Sequence, residues 1–288
     1  MPADTLKLIV EASMMLIVLG IGLRARFTDL SDILGRPALF VRSMIAVNLV
    51  VPLTAILLCL VFPLAPATRA GIVVMAVSPL CPLALSKVLK TGVHRADVIG
   101  VYVGLMLAAI LIVPLTVRLL AIGLGREFYA PSLEMAKFLG VTIALPLVSG
   151  MLLAWQWPGW ADRAARSVTI IAYVLFLPIV ALLLYLQGAQ IISLAGNGTL
   201  LVIALTILSG FAAGHVLGGS KPQYQLALAQ AAATRHPAVA SLIASANFDD
   251  REVMLAVFLF LFAGIAFSAV YTHWLKNMYK GKAVPDPA

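Results

Sequence analysis

A succession of long apolar segments limits the fold of this chain more than any other feature of its sequence. A helix that crosses a lipid bilayer needs about 17–25 mostly apolar residues, and roughly nine stretches of the chain meet this requirement. They cover residues 5–23, 38–61, 70–89, 98–121, 135–153, 167–186, 199–217, 226–246 and 253–274. Charged residues make up only 11% of the chain, against about 25% in soluble domains. The sequence therefore predicts an all-α integral membrane protein with nine transmembrane helices.

The positive charges are concentrated in alternate short loops between these segments. If the N-terminus lies outside the cell, the cytoplasmic loops hold about twice as many Lys and Arg residues as the external loops, as the positive-inside rule requires. This distribution accounts for the net charge of +8 without a nucleic-acid-binding face. We therefore expect a multi-pass protein of a bacterial inner (plasma) membrane, with its N-terminus outside and its C-terminus cytoplasmic. Residues 1–277 form one transmembrane domain in this prediction, and residues 278–288 form a basic disordered tail.

The third and eighth segments each combine a predicted proline break with a nearby positive charge. The third contains Pro79 and Pro82, followed by Lys87, and the eighth contains Arg235 directly before His236 and Pro237. Proline removes a helical hydrogen bond and clashes with the preceding turn. Backbone groups freed at membrane depth are tolerated only where protein or a water-filled cavity covers them. Two broken helices in corresponding halves of a chain therefore indicate the binding site of a transporter.

Segments one to four and six to nine have the features of an internal repeat. The third and eighth segments are both broken by proline, and each is followed by one long apolar helix. The sixth segment starts on the opposite side of the membrane from the first, so the predicted repeat is inverted. The fifth segment has no counterpart in the first half.

Arg235 has three interpretations. It is a structural residue that donates to carbonyls freed by Pro237, or its fork of N–H donors binds an anionic substrate, or its fixed charge replaces a coupling cation. The last two are compatible with each other.

The neighbouring polar residues also have alternative roles. Lys87, next to Ser86, either extends to the membrane surface beside Lys90 or lies in the site as a desolvated lysine that gains and loses a proton during transport. His236 donates to substrate as a neutral group, carries a proton, or is packed and satisfied in the core. Asn48, four residues before Pro52, is a weaker candidate for the lining of the region where the broken helices cross.

Other classes of chemistry have little support in the sequence. Cys59 and Cys81 have neither disulfide nor metal-ligand spacing, and no phosphate-binding GxxxxGK[ST] loop is present. Asp249-Asp250 is the one feature that fits an intramembrane prenyl-transfer enzyme, but a second acidic cluster on another segment is missing. We therefore predict no enzyme, no catalytic residue, no metal site and no cofactor.

The ordered motifs of the chain resemble those of the bile acid:sodium symporter superfamily, which is related in fold to auxin efflux and arsenite carriers. Residues 20–24, then Asp29-Leu30 and Arg36-Pro37, resemble the family's turn after an early span. Residues 78–92 resemble its first broken helix and residues 230–248 its second. The resemblance implies a panel domain, here about residues 5–23, 135–153 and 167–186, and a core domain, here about residues 38–121 and 199–274. The broken helices would cross in the core, and alternating access would move core against panel.

This chain departs from the family at the residues that serve sodium. The family's second broken helix carries a Glu and, four residues later, a Gln-Asn pair, whereas the ungapped alignment places Ala231, Arg235 and His236 at these positions. Ser86-Lys87 falls at the family's Ser-Asn pair if one upstream residue is deleted. Sodium takes oxygen ligands, as other hard cations do, and Arg235 places a like charge at its site.

The sequence thus predicts a secondary transporter of a small organic anion that works without sodium. It would couple to protons through Lys87 or His236, or act as a uniporter or exchanger, and its other partner would be the lipid bilayer. The alternatives are a sodium-coupled symporter of bile-acid type, an arsenite-type efflux carrier suggested by Cys81, and the prenyl-transfer enzyme.

Overall fold

The computed structural model describes residues 3–91, 93, 95–124, 132–248 and 250–279, and these residues form helices joined by short connections without any strand. The predicted tail from residue 280 onward and Asp249 lie outside the described residues. The α-helices are α1 (Ala3–Gly22), α2 (Phe27–Leu34), α3 (Pro37–Ile45), α4 (Val51–Val61), α5 (Pro66–Val77), α6 (Leu83–Leu89), α7 (Arg95–Leu124), α8 (Ser132–Leu139), α9 (Leu145–Gln156), α10 (Pro158–Ser193), α11 (Thr199–Leu217), α12 (Pro222–Ala233), α13 (Pro237–Asn247) and α14 (Arg251–Tyr279).

Six helical segments of the described chain are long and apolar enough to cross a membrane. They are Pro37–Val61, Arg95–Ile122, Ser132–Gln156, Pro158–Ser193, Thr199–Leu217 and Arg251–Leu275. A seventh is present if α1 and α2, which are bent by 82° relative to each other, count as one broken span. On α4 and the turn before it, four exposed leucines lie three or four residues apart: Leu49, Leu53, Leu57 and Leu60. Since this spacing forms one apolar stripe on the outside of the molecule, the protein is a multi-pass membrane protein.

α10 is much longer than the sequence predicted. The apolar segment was expected at residues 167–186, whereas the helix runs from Pro158 to Ser193 and is separated from α9 only by Trp157. Proline is favoured at the first position of a helix, and the Ala-rich residues after it favour helix although they are not apolar enough to mark a span. Trp160 lies in the first turn of this helix.

Two π-helical turns each stand directly before a proline. Residues Ala46–Val50 join α3 to α4 ahead of Pro52, and residues Gly140–Ala144 join α8 to α9 ahead of Pro146. In an α-helix, the proline ring clashes with the carbonyl group of the residue four positions earlier. Widening the preceding turn to π geometry relieves this clash while the helix continues. Each pair of helices therefore forms one span of 25 residues.

The two remaining predicted segments are interrupted helices. α5 ends at Val77 and α6 begins at Leu83, while α12 ends at Ala233 and α13 begins at Pro237. Pro79 and Pro82 lie in the first gap, and Pro237 is the first residue of α13. Each of these four helices is shorter than a membrane span needs, so neither interrupted segment counts among the six.

Glycines set the closest helix contacts in the bundle. A methyl group at Gly22 of α1 would lie 2.3 Å from the Leu147 carbonyl of α9, and one at Gly214 of α11 would lie 2.2 Å from the Ala229 backbone of α12. Such distances leave room only for hydrogen, so the backbones of these helices touch. α1 also packs along α10, and α5 packs along α14.

Four connections meet at one end of the bundle. Arg36, before α3, forms an ion pair of 3.1 Å with Asp97 at the start of α7, and both contact Tyr224 of α12. Arg95 forms an ion pair of 3.0 Å with Asp162 of α10. The connections around residues 24–36, 90–97, 157–162 and 218–224, all assigned to one side by the charge distribution, therefore lie together.

Candidate functional site

The two interrupted helices cross each other at their gaps. An antiparallel bridge pairs Leu80 with Arg235. The Cys81 N–H donates to the Thr234 carbonyl at 3.1 Å, and the His236 N–H donates to the Pro79 carbonyl at 2.8 Å. Each gap thus supplies hydrogen-bond partners for the other, as buried non-helical backbone in a membrane protein requires.

Arg235 lies at the centre of the crossing and is almost completely buried, with 2% of its surface exposed. Its Nη1 donates to the Ser78 carbonyl at 3.1 Å and its Nη2 donates to the Val47 carbonyl at 2.8 Å. Its Nε has no partner among the described residues. The two terminal nitrogens are therefore engaged by backbone oxygens from two other spans.

Prolines explain why these two carbonyls need a donor. The residue four positions after Ser78 is Pro82, which has no N–H to offer. Val47 lies in the π-helical turn, where a carbonyl accepts from the residue five positions later, and that residue is Pro52. The Arg235 guanidinium, with five donors in a planar fork, donates to the two carbonyls in place of the N–H groups that Pro52 and Pro82 lack. One carbonyl comes from the π-helical turn before α4 and the other from the gap between α5 and α6, and neither belongs to the turn around Pro237 that the sequence indicated.

Lys87 lies inside the bundle, where its ammonium begins a series of hydrogen-bonded polar side chains. Its Nζ donates to Ser268 Oγ of α14 at 3.1 Å, and this hydroxyl donates in turn to Gln230 Oε1 of α12 at 2.7 Å. The Gln230 amide donates to Thr272 Oγ1 at 2.8 Å. Ser268 and Gln230 are both 0% exposed, so this chain ties α6 and α12 to α14 in the interior.

A cavity of about 150 Å³ lies beside the crossing, between these helices and α10. Two positively charged residues line it, Lys87 and Arg235, and no carboxylate is among the lining residues. The remaining lining residues are mainly apolar and come from α5, α6, α10, α12 and α14: Met75, Cys81, Leu83, Ala84, Tyr173, Phe176, Leu177, Ala233, Thr234, Phe260, Leu261, Gly264 and Ile265. Arg235 gives one N–H from each terminal nitrogen to a carbonyl, which leaves three of its five donors. The Lys87 ammonium has three donors, and one of them goes to Ser268, so both cations have donors to spare.

The other predicted residues take different positions. Ser86 interacts with the Tyr173 phenol of α10, next to the cavity. His236 is 2% exposed and its Nδ1 has no partner among the described residues. The Asn48 amide donates within its own helix to the Met44 carbonyl at 3.3 Å, and Asn48 is not among the residues that line the cavity. The described residues contain no cluster of three or more His, Cys, Asp or Glu side chains suited to a metal ion.

Ser268, Thr272 and Gln230 are the polar residues that the sequence analysis did not select. Ser268 and Thr272 are four residues apart and therefore lie on one face of α14. A polar pair at this spacing in an apolar span was a usable signal. Gln230, one residue before the alanine run of the second broken helix, offered a weaker one.

A comparison with known proteins identifies the family of the chain. A model of the sodium bile acid symporter family matches residues 12–194, which run from the middle of α1 through the first broken segment to the end of α10. No curated protein matches the chain. The matched region makes up more than half of the chain and confirms the resemblance seen in its motifs. The chain therefore belongs to the sodium bile acid symporter family, whose members are membrane transporters and not enzymes.

Proposed function

We propose that this protein is a secondary transporter of a small organic anion that works by alternating access and without sodium. The observation that carries the proposal is the cavity at the crossing, which two cations and no carboxylate line. A positive charge buried in apolar surroundings is costly and marks a functional position by default. An anion in this cavity would compensate the charge of Lys87.

The size of the cavity favours a small substrate. Its volume of about 150 Å³ corresponds to roughly five water molecules, at about 30 Å³ each. Pockets for ligands the size of a drug or a steroid measure about 300–1,000 Å³. An organic acid of a few carbon atoms fits this conformation, with its carboxylate at Lys87 and its apolar part against Phe176 and Phe260.

Arg235 is the reason to propose transport without sodium. Its guanidinium binds the Ser78 and Val47 carbonyls, and carbonyl oxygens are the ligands that a hard cation takes. A cation about 4 Å from the guanidinium would meet a repulsion of about 4 kcal/mol at an effective dielectric constant near 20. That repulsion lowers affinity roughly thousandfold. The fixed charge would thus hold the crossing together in place of an exchangeable ion.

The same proposal includes nine membrane spans. They are α1, α3–α4, α5–α6, α7, α8–α9, α10, α11, α12–α13 and α14, with an inverted repeat that relates the two broken segments. The antiparallel bridge between Leu80 and Arg235 supports this relation. α1, α9 and α10 would form the panel and the other spans the core, with the N-terminus outside. Tyr173 and Phe176 line the cavity from the panel, so movement of core against panel would open it.

Lys87 and His236 are the groups through which proton coupling would act. Lys87 faces the cavity and is linked through Ser268 to α14, while His236 stands at the start of α13 with its Nδ1 unpartnered in the described structure. If neither residue exchanges a proton, the same site would serve uniport or exchange.

A thermal-shift screen tests the proposed function. Purified protein is melted with millimolar pyruvate, acetate, benzoate or taurocholate, in sodium chloride and in potassium chloride. We expect stabilisation by a small carboxylate in both salts, and loss of this stabilisation in Lys87→Gln. Lys90→Gln, which removes an exposed charge three residues away, is the matched control and should behave as wild type. Stabilisation by taurocholate that requires sodium would contradict the proposal.

A further inference from the structure

A second concentration of positive charge lies at the end of the bundle where α3 and α12 begin. A cavity of about 420 Å³ there is lined by Arg36, Arg42, Lys221 and Tyr224, together with the backbone around Gly219. Among the described residues, the carboxylate that serves this group is Asp97, which already accepts from Arg36 and Tyr224. Arg42 makes its hydrogen bond to the Ala38 carbonyl of its own helix, and Lys221 stacks over the Tyr224 ring at 5.7 Å. Two cations are thus left without an acidic partner in this cavity.

The N-termini of α3 and α12 border this cavity and add to its positive charge. Arg36 and Lys221 are the residues that precede α3 and α12, each is followed by proline, and neither helix has an acidic residue in its first turn. The N-terminus of a helix carries a partial positive charge and unpaired N–H groups, so a cation there is unfavourable and an anion favourable. Three cations in a cavity between two such ends therefore call for an anion.

The position of the cavity identifies the kind of anion. It lies at the first turn of two spans, which is the level of the lipid headgroups. Val41, next to Arg42 on α3, and Val216, two residues before Gly218 on α11, are exposed apolar side chains. A phospholipid presents a phosphate to the cations and acyl chains to apolar surface of this kind. Lys and Arg residues between transmembrane helices recognise such headgroups.

We propose that this cavity is a binding site for the phosphate of an anionic phospholipid, separate from the cavity at the crossing. Arg42 and Lys221 bind the phosphate oxygens, Arg36 adds charge from its place beside Asp97, and the chains lie along α3 and α11. A bound lipid contacts both the start of α3 and the turn between α11 and α12, so it stabilises the folded transporter.

Binding to the purified full-length protein in an uncharged detergent tests the site. Dioctanoyl phosphatidylglycerol, dioctanoyl phosphatidylcholine and inorganic phosphate are titrated separately while the melting temperature is followed. We expect saturable stabilisation by phosphatidylglycerol, at least tenfold weaker binding of phosphatidylcholine, and no effect of 10 mM inorganic phosphate. The double variant Arg42→Gln/Lys221→Gln should weaken phosphatidylglycerol about tenfold to thirtyfold.

The matched control is Arg163→Gln/Arg166→Gln on α10, which removes the same charge from exposed positions and should change the affinity less than twofold. If Arg42→Gln/Lys221→Gln does not fold, Lys221→Gln alone should still weaken phosphatidylglycerol several-fold. Equal losses in the two double variants, or equal binding of both lipids, would overturn the site. Stabilisation by inorganic phosphate without any by phosphatidylglycerol would overturn the assignment to lipid.

Discussion

Replacement of Arg235 by glutamine, the residue type that the motif resemblance aligns with this position, tests the role of the buried guanidinium. The Ser78 and Val47 carbonyls that accept from it lie on residues that are 0% and 2% exposed. The shorter amide reaches at most one of them, so at least one buried acceptor loses its donor. Such a loss costs about 1–3 kcal/mol, part of which is offset because a charge is no longer buried. At about 2–4 °C per kcal/mol, we expect a melting temperature several degrees lower.

The same change removes the charge that repels a cation, so Arg235→Gln should gain a response to sodium. The roughly thousandfold penalty disappears, and a freed carbonyl oxygen becomes an available ligand for a hard cation. At a sodium concentration ten times the dissociation constant, binding stabilises the protein by about 1.4 kcal/mol. This corresponds to a rise of about 3–6 °C in melting temperature.

The assay is a melting curve of wild type and Arg235→Gln in sodium chloride and in potassium chloride at equal ionic strength. Arg163→Gln, which removes an exposed charge that bonds to a carbonyl of its own helix, is the control. We expect no difference between the salts for wild type and the control, and a higher melting temperature in sodium for Arg235→Gln. The reasoning is refuted if wild type is stabilised specifically by sodium, or if Arg235→Gln is as stable as wild type in potassium.

Three further predictions follow from the packing, the polar chain and the topology. Gly214→Ala places a methyl group 2.2 Å from the Ala229 backbone and should destabilise the protein by about 1–3 kcal/mol in thermal melts. Gly188→Ala on α10 meets nothing within 4 Å and should be neutral or stabilising by up to about 1 kcal/mol; equal effects of the two would contradict the close approach of α11 and α12. Ser268→Ala leaves buried Gln230 Oε1 without its donor and should lower the free energy of unfolding by about 1–3 kcal/mol. The control Ser245→Ala, at an exposed position, should lower it little. If Ser268→Ala melts like wild type, the hydrogen-bonded link from Lys87 to α12 is contradicted. For topology, Ser193→Cys should react with an impermeant maleimide on intact cells and Ser220→Cys only after permeabilisation, and the opposite pattern would reverse the proposed orientation.

Features that depend on neighbouring residues were predictable from the sequence. Prolines act on their own helix turn, and the interruptions around Pro79 and Pro82 and before Pro237 were predicted in this way. A proline alone does not decide the outcome, because α7 and α10 continue through Pro114 and Pro178. The same local logic explains why a π-helical turn precedes Pro52, although the sequence analysis mentioned this proline only to place the weaker candidate Asn48. The length of α10 was missed because hydropathy marks the apolar part of a helix and not its continuation through the interface.

Contacts between residues far apart in the chain could not be predicted from the sequence. The donors of Arg235 serve carbonyls at residues 47 and 78, which are 188 and 157 positions away. The partner of Lys87 is Ser268, 181 positions away, and a Ser in an apolar span is usually unremarkable. A single sequence shows that Arg235 and Lys87 need partners, but only the fold selects those partners. Both cations line the cavity, but Arg235 is held by backbone carbonyls and Lys87 by a side-chain hydroxyl.

The most direct test of the central claim is the sodium dependence of transport itself. The protein is reconstituted into liposomes, and counterflow of the radiolabelled carboxylate with the largest thermal shift is measured with sodium on both sides and again with choline in its place. The fixed charge of Arg235 predicts the same initial rate in both conditions and, for Lys87→Gln, a rate near that of empty liposomes. A rate that falls to this background when choline replaces sodium would contradict the account.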